Sequence, residues 1–233
     1  MKKTFKEFSL IVTGVENIFR RSDFDPVTNF IKWLAIKVAY PLYLLGVTAN
    51  FLDVLGLFIS LFGFQMFYLG VISSNKWLAL FGIAFIYIHI FIDFIDGALA
   101  KSTQTTSAVG HLLDEMGCYL DRFLLLCVLG LCSGNQWLVV INVFSSYILF
   151  VFINTSRHFL DEHPINNFLR KVYIHKYSFL SVRMMLFFLP AVISFFIIKN
   201  WSIESLARDL SYAYFILASL WMIGMIPLYK KNT

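Results

Sequence analysis

Asp93, Asp96, Asp114, Glu115 and Asp121 stand inside two long apolar stretches of the chain. An ionisable side chain in such a stretch is costly and ordinarily functional. Asp93 and Asp96 are three residues apart and share one face of a helix, which Gly97 and Ala100 continue without side-chain bulk. On the next stretch Gly110 and Asp114 are four apart and repeat the pattern of a small residue one turn from a carboxylate. Two antiparallel helices joined by the short loop 101–109 can converge these three carboxylates beside an empty groove. Carboxylates that close repel one another unless a cation holds them, and oxygen ligands with a phosphate nearby favour Mg²⁺ or Mn²⁺. The pattern therefore predicts a divalent-metal phosphate site. The competing reading makes the acids headgroup-level helix ends or buried partners of Arg122 and Arg183, and the small residues registered on their faces argue against it.

The elements that carry these residues are built for lipid. Of 233 residues, 59% are hydrophobic and 14% charged, with 26 Phe, whereas a soluble domain carries about a quarter charged residues. A bilayer crossing takes about 20 apolar residues, and the hydropathy predicts six: 51–72, 77–100, 110–132, 137–156, 179–198 and 211–228. The expected architecture is all-α and polytopic, with residues 1–47 as an interfacial amphipathic segment and 48–233 as a six-helix membrane domain. Lys and Arg outside the crossings concentrate on the N-terminal side, with only Lys76, Lys199 and Arg208 opposite. Both termini are expected in the cytoplasm. No removable signal peptide is expected after Lys2, Lys3 and Lys6. The net charge of +5 lacks the aromatic-interleaved stripe of a nucleic-acid binder and fits a membrane surface instead. Cys118, Cys127 and Cys132 have no spacing that suggests zinc or a disulfide framework.

DFIDGALAK, eight residues, then GHLLDEMGC resembles the CDP-alcohol phosphotransferase signature DxxDGxxAR, eight residues, GxxxDxxxD. Asp93, Asp96, Gly97, Ala100, Gly110 and Asp114 agree at the family's intervals. TANFLDVLG at 48–56 is similar to the family's Pro-Asn-containing start of its first span, with Asn50 kept and Ala49 in place of proline. The resemblance implies a six-span homodimer that releases CMP from a CDP-linked donor and transfers a phosphate-substituted group to an alcohol acceptor. It implies Asp93, Asp96 and Asp114 as ligands of Mg²⁺ or Mn²⁺. It also implies Gly97 and Ala100 as space for the nucleotide, with Asn50, Lys101 and Gly110 completing the donor site.

Two positions depart from the signature. Lys101 keeps the positive charge of the family's arginine but loses its two-pronged donor geometry. Cys118 replaces the fourth aspartate, which in the family is a metal ligand and the proposed base, and a neutral thiol is a poor magnesium ligand. Three explanations stand side by side. Asp121, seven residues after Asp114, substitutes for it; His111 or another polar group supplies the base; or the chain is a non-catalytic relative serving as a membrane binding or scaffold protein. For the acceptor, Arg157 in the basic stretch 157–176 and Arg183 within the fifth crossing are the candidates. Phospholipid or related headgroup synthesis at a bacterial inner membrane is the expected setting. A small transporter fits less well, because the acids gather at one end of two adjacent helices rather than near the midplane.

Overall fold

The computed structural model describes residues 3–14, 26–104, 108–152 and 188–229, and all regular elements among them are helical. They are α1 (Phe5–Thr13), α2 (Pro26–Leu45), α3 (Ala49–Ile72), α4 (Lys76–Thr103), α5 (Ala108–Cys132) and α6 (Gln136–Ser146). A π-helical segment (Tyr147–Phe152) prolongs α6, and α7 (Leu189–Ile198) and α8 (Ile203–Tyr229) follow. Gly46, at φ 78°, ends α2, with its amide and that of Val47 turned back onto the carbonyls of Tyr43 and Leu42. Thr48 then opens α3 by accepting from the Phe51 amide through Oγ1. Among the described residues, α3 and α4 are long and apolar enough to cross a bilayer, with mean hydropathy of 1.9 and 2.3 over their most apolar windows. Phe58 and Phe81 point outward at 67% and 58% exposure, which suits lipid as the surrounding solvent.

The chain packs as two units. In the first, which comprises residues 1–62 and 85–117, α1 and α2 close over α3 and the C-terminal end of α4. Phe8, Ala35, Ile36, Ala39, Ala49, Leu52, Ile95, Ala98 and Leu99 form its buried cluster. The Phe8 ring sits edgewise on Tyr40 at 5.6 Å and against Tyr43 at 5.3 Å. Small residues bring backbones together: a Cβ built at Gly56 of α3 falls 2.8 Å from His89 Nδ1 and 3.5 Å from Ile92 Cγ2 on α4.

The second unit, 63–84 with 118–233, holds α6 and α8 around a buried polar clamp. Asn142 Nδ2 donates to the Leu126 carbonyl at 2.7 Å and to Ser211 Oγ at 2.9 Å, and Ser211 donates on to the Ala207 carbonyl. These bonds tie α5, α6 and α8 where an unmet amide would be expensive. Near the α3–α4 turn, Gly70 lies against the backbone of Ala79, and Gly82 against Gly63 and Phe67. No larger residue fits at either place, which is the small-residue packing of helices in lipid.

Candidate active site at the C-terminal end of α4

The apolar run of α4 ends in Asp93-Phe94-Ile95-Asp96-Gly97-Ala98-Leu99-Ala100-Lys101, and helical periodicity sorts these residues onto two faces. Ile95, Ala98 and Leu99 enter the buried cluster, and Ala100 packs partly buried against it. Asp93 is exposed, whereas Asp96 is 8% exposed. A Cβ built at Gly97 would meet nothing within 4 Å. The helix therefore presents two carboxylates at different depths beside open space. Hard oxygen donors next to an unfilled cradle are a donor set that fits Mg²⁺ or Mn²⁺. Among the described residues no three acidic, histidine or cysteine side chains gather closely enough to hold a metal. Asp93, Asp96, Gly97 and Ala100 thus follow one another along the last turns of α4.

Lys101 is exposed just before the helix ends. Ser102 and Thr103 turn their hydroxyls onto the Leu99 carbonyl at 2.9 and 2.7 Å, and Gln104 leaves the helix at φ 56°. Lys3 Nζ donates to the Ser102 carbonyl, placing a cation at the negative end of the α4 dipole. The same residue is held by its backbone: its amide donates to Tyr43 Oη and its carbonyl accepts from Tyr40 Oη, both at 3.3 Å. Thr4 then caps α1 through a reciprocal box with Glu7, whose carboxylate accepts from the Thr4 amide at 2.8 Å. The bonds from the Thr4 amide and hydroxyl hold the Glu7 carboxyl below its ordinary value of 4.5.

Asn50 is exposed in the first turn of α3. Three residues on, the sequence reading passed over Asp53, which is half-buried in the same packing unit as Asp93 and Asp96. It lies one turn before Gly56, on the stripe that meets α4 at His89 and Ile92. Because α3 and α4 run antiparallel, one turn back on α3 corresponds to one turn forward on α4, toward Asp93 and Asp96. A lone acid within an apolar helix was the available signal.

On α5, a Cβ at Gly117 would lie 3.8 Å from Leu57 Cδ2, which sets the first half of that helix against α3. The backbone of α5 carries Gly110, His111, Asp114 and Cys118. The side chains of His111, Asp114 and Cys118 lie outside the described residues, as do Arg157 and Arg183 altogether. Asp121 and Arg122 are buried at 2% and 5% exposure in the second unit, with the Arg122 guanidinium 5.2 Å from the Tyr119 ring centroid.

The family model of CDP-alcohol phosphatidyltransferase matches residues 46–225. No curated protein and no solved structure matches the chain.

Proposed function

We propose that this chain, which belongs to the CDP-alcohol phosphatidyltransferase family, is an integral membrane transferase that releases CMP from a CDP-linked donor and passes the phosphate-bearing remainder to an alcohol, in phospholipid or related headgroup synthesis. The observation that carries this reading is the family's DxxDG motif at the end of α4, with Asp96 buried and the position of Gly97 open. That opening admits the donor where any side chain would obstruct it. Asp93, Asp96 and Asp114 would hold the divalent cation, and Asp53 adds a carboxylate on the neighbouring helix. The cation, when bound, supplies a positive centre for the pyrophosphate oxygens and for the charge that builds on CMP. Lys101 attracts the donor's phosphates from the helix end, and Asn50 and Gly110 would complete the donor site as the family resemblance implies. Asp121, or His111, takes the proton of the acceptor hydroxyl in place of the family's fourth aspartate, and Arg157 and Arg183 bind the acceptor. Six crossings, both termini and the site on the cytoplasmic side, a bacterial inner membrane and a homodimer complete the proposal.

Cys118 favours one other reading, that of a catalytically inactive relative that binds without turnover. Purified protein supplied with a panel of CDP-linked donors and Mg²⁺ or Mn²⁺ separates the two. Release of CMP that depends on metal and acceptor supports the transferase. Metal-dependent nucleotide binding with no CMP released across the panel supports the inactive relative and sinks the enzyme reading.

A further inference from the structure

The second packing unit contains a cavity of about 450 Å³ built by three helix–helix turns: 73–75, 133–135 and 199–202. Each turn holds one residue in the left-handed region, Ser74 at φ 54°, Gly134 at 69° and Asn200 at 56°. A tryptophan stands beside or within each: Trp77, Trp137 and Trp201, exposed at 66%, 74% and 53%. Indoles ring the level where lipid headgroups meet water, so these turns sit at that level. Lys76 and Ala79, at the start of α4, line the cavity, whereas the acidic motif belongs to the other end of that helix.

Lys76 and Glu204 both line this cavity, and no ion pair joins them among the described residues. Glu204 lies in the first turn of α8 and complements that helix's dipole, which accounts for the acid but not for a lysine in the same cavity lining. Trp201 also lines the cavity and makes edgewise contacts with Phe195 and Phe196 at 5.5 and 5.0 Å. Leu131 and Ile197 give the cavity an apolar side. A purely anionic ligand satisfies Lys76 and is repelled by Glu204, and a neutral one leaves both charges idle. A ligand with a phosphate at one end and an ammonium at the other satisfies both, with the ammonium near the Trp201 ring. The volume is in the range of small-ligand sites.

We infer that this cavity is a binding site for a zwitterionic ammonium–phosphodiester headgroup at the membrane interface: Lys76 and the Ser74 and Ser202 hydroxyls take the phosphate, and Glu204 with Trp201 takes the ammonium. Native mass spectrometry of the full-length protein in detergent, titrated with phosphatidylethanolamine and phosphatidylglycerol, tests it. One phosphatidylethanolamine should be retained per chain, with a roughly tenfold preference over phosphatidylglycerol. Glu204→Gln should abolish the preference, Lys76→Ala should weaken both lipids, and Glu204→Asp should restore selectivity. Soluble glycerophosphoethanolamine that displaces the lipid assigns the site to the headgroup alone. Failure to displace it, with lipid selectivity intact, assigns the site to the membrane lipid. Equal retention of the two lipids by the unaltered protein, or a preference that survives Glu204→Gln, overturns the inference.

Discussion

A methyl group added at Gly97 touches no protein atom within 4 Å, and alanine is the better helix former by about 0.5–1 kcal/mol. Gly97→Ala should therefore leave thermal unfolding unchanged or raise it slightly, while CMP release falls at least about tenfold, or about 1.4 kcal/mol of transition-state binding. Loss of both stability and activity would mean that the open position serves packing instead of the donor. Asp96→Asn and Asp53→Asn test the carboxylates in a different way. Each should weaken Mn²⁺-dependent retention of a CDP-linked donor, measured by equilibrium binding without turnover, and unchanged affinity in Asp53→Asn would remove that residue from the site. At this scale the sequence was informative where spacing and chemistry coincide. Asp93 and Asp96 share a helical face and Gly97 opens it, as their intervals required. Asp53 was not legible, because a single acid near a helix start looks like a headgroup-level residue until Gly56 fixes which side of α3 meets α4.

Helix boundaries followed from local chemistry. The Ser73–Asn75 turn and the turn at 133–135 with its left-handed Gly134 lie where composition placed breaks, although Gln136 already opens α6, so α3, α4, α5 and α8 enclose the expected apolar runs. The role of the N-terminal segment was harder to read. Its amphipathic pattern announced an interface, but only the folded chain shows Phe8 buried among Tyr40, Tyr43 and the end of α4. The Thr4–Glu7 box at the head of α1 makes this dependence measurable. A carboxyl held below its unfolded value adds stability above the unfolded pKa and ceases to as the pH falls through the folded one. Hydrogen-exchange protection of α1 amides should therefore decline on acidification below about 4.5. Glu7→Gln keeps the capping geometry and should flatten that response. Thr4→Ala should lower α1 protection at every pH, by about 1 kcal/mol.

For the molecule as a whole, hydropathy established the environment more securely than the number of crossings. Among the described residues, α3 and α4 are both long and apolar enough to span. α6 with its π-helical extension and α7 are shorter, and α8 begins with Glu204, Arg208 and Asp209. Polar residues clustered at helix ends dilute a hydropathy window without revealing whether the helix crosses, so six spans rest on the family resemblance as much as on the run of residues. Cysteines introduced singly at Ser74 and Gln104, the two ends of α4, decide its topology. In sealed vesicles a membrane-impermeant thiol reagent should label one from the outside and the other only after lysis. Labelling of both from one side would remove the crossing.

The glycine contacts of α3 with α4 also bear on how the protein is made. Gly70 against Ala79, Gly82 against Phe67 and Gly56 against His89 join these two helices at three levels across a turn of three residues. All these contacts lie within the first 103 residues, so this pair can seat in the bilayer as a hairpin while α5 is still inside the ribosomal exit tunnel. The helix that bears Asp93 and Asp96 is then held by its neighbour before α5 reaches the bilayer.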